Sequence, residues 1–430
     1  MSTLLQHATV LYYDNGWQTI QDGYIGIRNE TIDYLGSEKP QAQYDEGKDM
    51  SLHLVMPGFY NMHTHTGMSI LRGIGSALPL GRWLTEAVFP VEMRMLPSDI
   101  RAGSRLAIME MLASGVVSFS DMYHLPDSYV QDVIDIGIKA NLSSPIMLFG
   151  SQSEADIQAI LQKSVDFHHQ WHNSAAGRVL VDFAIHAEYT STPEMVRQYS
   201  RMCAENNGRM HLHLSETRSE HEECKQRHGM TPARYFYQNR TFDNPTNAAH
   251  CVWVEPDDMD LMLEKGVTPV HNPSSNMKLG SGFMPIKGMK ERGIRITLGT
   301  DSDASNNNQD MVEEIRMASL LHCGFQLDPT IVVPEEVLLM ATLNGAAAQG
   351  RKDCGNIQVG MKADLIAINL DKPHLLPVHD LPSLIVYSLH AADVDLTIVN
   401  GKILYERGEF KTLDFEDVKK ELRLSYNRLF

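Results

Sequence analysis

Short apolar runs alternate with amphipathic stretches of helical period through the middle of the chain, and this alternation predicts a parallel sheet flanked by helices. The runs span residues 55–63, 116–121, 140–149, 179–186, 209–213, 247–251, 268–271 and 295–301. Eight is the number a βα barrel needs. The apolar spacing over 97–114 predicts a helix with Ser98 as its N-cap. Outside this region the period changes to two. Residues 2–55 read as short strands with turns at Asp14-Asn15-Gly16, Asp22-Gly23 and Asn29-Glu30. After a helical stretch at 334–349, residues 363–369, 395–399 and 402–407 read as strands, with a turn at Asn400-Gly401 and a final helix near 415–429. Terminal β segments flanking a barrel pair most simply with each other. The expected fold is α/β: a (β/α)8 TIM-type barrel over 57–356, and a small β-sandwich domain formed by residues 1–56 and 357–430.

Composition narrows the partners. Of 430 residues, 43% are hydrophobic and 21% charged, enough apolar mass for a large core. A net charge of −17 disfavours nucleic acid, whose binders concentrate positive charge. The five cysteines have no CxxC spacing, so neither a disulfide framework nor a zinc ribbon is implied, and a reducing cytoplasm fits best. No stretch approaches the roughly 18 apolar residues of a membrane span.

The placement of histidine and aspartate carries the chemistry. Several runs close on such residues: His63 and His65, Asp121, His186, His213, His250, His271 and Asp301. In a barrel those ends converge on one mouth. His63 and His65, two apart on an extended strand, project to one face and suit a divalent transition metal, most often zinc. His213 ends its run with Glu216 three residues on; His211, on the same face, is expected to pack inside the barrel. Asp301 closes the eighth run, beside the first. Three His and one Asp leave room for water, the composition of a catalytic site, where metal charge brings the ionisation of bound water toward about 7. Asp301 can then hold the water proton and Glu216 can pass one to the substrate. His250 is a ligand or a partner of that water. Asp121 and His124 could form a second metal pair, but a mononuclear site is favoured. The 272–282 loop reads as pocket lining, and Met93, Met95, Met109 and Met111 as core filler.

The pieces PGFYNMHTHTGMSILRG, WLTEAVFP, HLHLSE, AHCVW, HNPSSNMKLGSG and GTDSDASNNNQDM, in this order, resemble the amidohydrolase superfamily. Within it they are similar to the branch of 5′-methylthioadenosine/S-adenosylhomocysteine deaminases and s-triazine chlorohydrolases. The resemblance implies that His63, His65, His213 and Asp301 bind one zinc, or iron, and that Glu216, His250 and Asp301 handle protons and the attacking water. It implies that Glu86 faces the substrate and that His186 contacts it near the metal. The reaction implied is hydroxide attack on an amino-bearing ring carbon of a small heterocyclic substrate, with Glu216 protonating the ring nitrogen and ammonia leaving. Adenosine, methylthioadenosine, S-adenosylhomocysteine, guanine, a pterin or a triazine fits that chemistry, and a homo-oligomer is compatible with such a fold. Two departures stand out. Ser76-Ala77 replaces a pair of acidic residues found in many relatives. No arginine occurs from Asn141 to Gln162, where methylthioadenosine/homocysteine deaminases use arginines for the substrate's tail; this weighs against S-adenosylhomocysteine in particular.

Overall fold

Gly58 divides the first apolar run between two sheets. The computed structural model describes residues 2–148, 150 and 152–430. In it His53–Pro57 and Phe59–Thr64 are separate strands. A Cβ on Gly58 would stand 2.2 Å from Cγ1 of Val117, so only glycine lets the chain bend this close to the neighbouring strand.

Phe59–Thr64 begins the parallel part of the fold. It pairs with Val116–Met122, which pairs with Lys139–Ser143 and then Val179–Val181, in a four-stranded sheet. A six-stranded parallel sheet runs from Pro145–Ile146 through Phe183–Ile185, Met210–Leu214, Thr246–His250 and Thr268–His271 to Thr297–Leu298. The expected runs 140–149 and 179–186 therefore each break once, at Ser144 and Asp182, and pass from one sheet to the other; Phe149 lies outside the described residues. The run 295–301 keeps only a two-residue strand. Beyond it, Gly299 packs so tightly that a Cβ would meet the His63 nitrogen at 2.8 Å, and Asp301 N–H donates to the His63 carbonyl at 2.9 Å. Burial on both faces explains why these strands read as near-continuous apolar runs.

The terminal segments pair as expected, in one nine-stranded sheet. Ser2–Tyr13 runs parallel to His53–Pro57, which pairs antiparallel with Leu365–Asn369. Asp22-Gly23 is not a turn. It sits inside the strand Trp17–Arg28 opposite a register shift, with His7 and Asp22 both at positive φ and bonded to each other at 2.7 Å. Nor is Ser98 a helix cap: Pro97 occupies the first turn of Pro97–Ala113, and the Asp99 carboxylate accepts from the Leu96 N–H at 2.6 Å. The stretch 334–349 bends at Thr342 into Pro334–Ala341 and Leu343–Ala348. Met109 and Met111 are core, but Met93 is 81% exposed.

Where the two sets of strands meet, the Lys139 ammonium contacts the Asp364 carboxylate in the dry interior. Tyr60 Oη (3.2 Å) and the Asn400 N–H (2.9 Å) also donate to that carboxylate. Burial by itself raises the Asp364 pKa, but Lys139 and the Asn400 N–H bring it below the usual carboxylate range. Breaking such a pair leaves a buried charge uncompensated, at a cost of about 3–5 kcal/mol. Asp364→Ala is expected to lower unfolding free energy by that amount in urea melts, whereas Lys139→Met with Asp364→Leu should recover most of it. Because the folded pKa is depressed, the contribution is present above the ordinary value of about 3.9 and is lost as pH falls through the lower folded value.

Candidate metal and active site

Four strand ends deliver the side chains expected to meet. His63 and His65 come from Phe59–Thr64 and the residue after it, His213 from Met210–Leu214, His250 from Thr246–His250, and Asp301 from the chain just past Thr297–Leu298. Nitrogen and carboxylate oxygen atoms of His63, His65 and Asp301 lie within 4.8 Å of one another, as do those of His63, His213 and His250. Asp301 Oδ1 is 3.2 Å from His65 Nε2 and 3.5 Å from His63 Nε2; the Nε2 atoms of His65 and His213 are 3.3 Å apart. His250 and Asp301 both sit in the left-handed backbone region, at φ 73° and 60°. Non-glycine residues held there are strained by about 1–3 kcal/mol each, and the strain aims these two side chains inward.

The hydrogen bonds behind the rings decide what the inner nitrogens can do. His65 Nδ1 is 2.5 Å from the Met122 carbonyl oxygen and His213 Nδ1 is 2.8 Å from that of His186. A carbonyl only accepts, so each Nδ1 carries the proton and each neutral ring presents a bare Nε2. His63 Nδ1 is held by His211 Nε2 at 3.0 Å, and its own buried Nε2 has no protein partner. Burial holds the His63 pKa down to about 3 and that of His213 well below its usual value, so both rings are neutral. Burial would raise the Asp301 pKa, but the His63 and His65 rings beside it hold it well below the ordinary range. Burial opposes charge on His65, yet Asp301 raises its pKa. Lone pairs and one carboxylate oxygen thus converge where positive charge is favoured and no protein proton bridges them all, and this donor set fits a divalent transition metal. The outer oxygen of Asp301 is already fixed, accepting from Ser275 Oγ at 2.6 Å and Ser305 Oγ at 2.8 Å.

Glu216 stands beside this cluster. Its Oε2 is 3.7 Å from His250 Nε2, and its Oε1 accepts from Ser281 Oγ at 3.3 Å. Burial raises its pKa, which favours a carboxyl able to keep and release a proton. Its backbone is clamped by Glu220, whose carboxylate accepts from the N–H groups of Ser215 (3.1 Å) and Glu216 (2.7 Å). His250 Nδ1 pairs with Asn276 Oδ1 at 2.8 Å.

His65, His186, His213, Glu216, His250 and Asp301 line one cavity. Glu86 does not reach it. Its carboxylate turns to solvent and is held by two hydrogen bonds from Arg82, at 2.7 and 2.9 Å, one helical turn away. Glu92, six residues on, lines the cavity instead, with one oxygen accepting from Tyr123 Oη at 2.7 Å. The other departures are of supporting residues. His211 packs inside as expected but also backs His63, and the 272–282 segment lines the pocket while Ser275, Asn276 and Ser281 hold Asp301, His250 and Glu216. Its run of small polar residues after a strand ending in histidine was the available signal. Asp121 is occupied by Thr66 and Tyr129, and His271 by His322 at 2.9 Å; neither enters a metal-holding group among the described residues.

Residues 54–404 match the model of the Amidohydrolase family. The chain is 39% identical over 420 residues to the 5-methylthioadenosine/S-adenosylhomocysteine deaminase of Thermoanaerobacter pseudethanolicus, covering 97% of each. It is 41% identical over 401 residues to the protein of that name from Dictyoglomus turgidum, covering 92% of each. Among solved structures, an adenosine deaminase from Xanthomonas campestris with bound zinc superposes with a TM-score of 0.93 at 27% identity, over 99% of this chain and 98% of that one. By sequence along nearly its whole length and by fold, the chain belongs to the amidohydrolase family.

Proposed function

We propose that this chain is a zinc-dependent hydrolytic deaminase of adenosine-type nucleosides. The observation that carries the reading is the placement of the buried Glu216 carboxyl on the wall of a cavity that His65, His213 and Asp301 also line. Relatives of about 40% identity that are named as methylthioadenosine/S-adenosylhomocysteine deaminases support the same reaction class.

His63, His65, His213 and Asp301 would hold the metal, for which zinc suits three imidazoles and one carboxylate. Bound there, such a cation supplies Lewis acidity that brings the ionisation of water into the neutral range. Asp301, anchored by Ser275 and Ser305, takes up the water proton on its inner oxygen. His250, held by Asn276, orients the attacking oxygen through Nε2. Glu216 donates to the ring nitrogen next to the amino-bearing carbon as that carbon becomes tetrahedral; the proton held by Asp301 then passes to the amino group, ammonia leaves, and the hydroxyl proton on the same carbon returns to Glu216. His186 packs on the ring plane from the cavity wall. Glu92, with one oxygen engaged by Tyr123, offers the other to sugar hydroxyls, the role first expected of Glu86. The same reading takes the parallel strands as one closed eight-stranded barrel over 57–356, supported by the Asp301 N–H to His63 carbonyl bond, with residues 1–56 and 357–430 as a flanking β domain, supported by their shared nine-stranded sheet. A cytoplasmic site of action is supported by five free cysteines. No helix of the described residues is long and apolar enough to cross a membrane.

Ammonia release from adenosine, methylthioadenosine, S-adenosylhomocysteine, guanine, pterins and an aminotriazine tests this directly. Zinc-loaded protein should deaminate an adenosine derivative, and a chelator should abolish the activity until zinc is restored. Turnover of only a bare heterocycle, or release of chloride from a chlorotriazine, would overturn the nucleoside assignment. Glu216→Gln should keep its metal and lose about 10²–10⁴ in kcat, read by metal analysis beside the kinetics. Asp301→Asn should lose both metal occupancy and turnover.

A further inference from the structure

The relatives' shared name joins two nucleosides that differ only beyond the 5′ carbon, one ending in a methyl thioether and the other in an amino acid. The structure separates these two tails. The inner cavity opens outward past Leu80, Leu84, Phe89 and Tyr189, which also line a second, wider cavity, so a nucleoside with its amino-bearing carbon at the metal ligands directs its 5′ substituent through this gap.

Leu80, Leu84, Phe89, Leu148 and Ile157 give the outer cavity its apolar lining. Its lining also carries hydroxyl side chains, Thr190 to Thr192, Thr217 and Ser219, and the carboxylates of Glu220 and Glu223. Among the described residues lining it there is no lysine, arginine or histidine. Three arginines of the flanking helices already have partners. Arg82 is held by Glu86, Arg227 pairs with Glu188 at 2.6 Å and Glu223 at 3.1 Å, and Arg218 lies over the Trp253 ring. The carboxylate of an amino-acid tail entering this space would lose part of its hydration and find no unpaired cation, because Arg227 is already bound to Glu188 and Glu223; the acidic lining suits only the ammonium of such a tail. A methyl or longer alkyl thioether would meet leucine, isoleucine and phenylalanine.

Resting on the deaminase reading above, we propose that this chain selects adenosine-type nucleosides with an uncharged 5′ substituent, methylthioadenosine ahead of S-adenosylhomocysteine. The selection acts through ground-state binding of a part of the substrate remote from the reacting carbon. The difference therefore falls mainly in KM.

The test compares kcat/KM of the zinc-loaded protein for adenosine and for 5′-thioethers bearing methyl, butyl, carboxyethyl and homocysteine tails, at fixed ionic strength. The butyl compound should match the methyl one to within a few fold, while the carboxyethyl and homocysteine compounds should fall at least about tenfold below, the cost of an unpaired, partly desolvated carboxylate. Equal or better turnover of the carboxylated tails, with adenosine deaminated, would overturn this inference and leave the deaminase reading standing. Silence on adenosine and on every thioether, with zinc bound, would overturn the deaminase reading and the inference together.

Discussion

Two bare imidazole nitrogens 3.3 Å apart, with a carboxylate oxygen 3.2 Å from one of them, form an arrangement that repels itself unless positive charge sits between them. The fold holds it together from behind. Main-chain carbonyls of Met122 and His186 fix the outer nitrogens of His65 and His213, and two serines fix the outer oxygen of Asp301. All but Ser305 belong to a different strand or loop from the side chain they hold, so the geometry exists only when the parallel strands are in register. Burial then keeps His63 and His213 neutral, which is what a metal ligand requires.

The same constraint explains where the backbone is strained. Ser215, His250 and Asp301 all lie at positive φ without being glycine, and all three are at or just past the C-terminal ends of strands of the same six-stranded sheet. Turning the chain sharply at these points sends His250 and Asp301 into the pocket and sets Glu216 on its wall, while Glu220 stabilises the turn at Ser215 by accepting its N–H. Gly299 is the reciprocal device: the close approach of the His63 backbone allows no side chain there.

Outward from the ligands the chemistry grades from charged to neutral and then to apolar with hydroxyls. The proposed division of labour follows that gradient: the floor for water activation, Glu216 and His250 for protons, Glu92 for the sugar, and the outer cavity for the 5′ tail. The helix carrying Leu80 to Glu92 roofs both cavities, so the face it turns inward bears on sugar and tail alike.

The residues alone determined the alternation of apolar runs and amphipathic helices, the strand ends bearing histidine and aspartate, and the pairing of the two terminal β segments. These are read from local period and residue type, because burial on both faces of a strand leaves a continuous apolar run and a ligand must sit where that run stops. The roles of His211, Ser275, Asn276, Ser281 and Glu220 depended on tertiary structure, because each acts through a partner far away in sequence or through the backbone of a turn. The choice between Glu86 and Glu92 had the same origin. Both lie in one helical stretch, and only the packing of that stretch over the strand ends turns Glu92 inward beside Tyr123 and leaves Glu86 in solvent with Arg82. Likewise the missing arginine in 141–162 is a fact of sequence, but whether another segment replaced it could be settled only by the walls of the outer cavity, which chains distant in sequence build together.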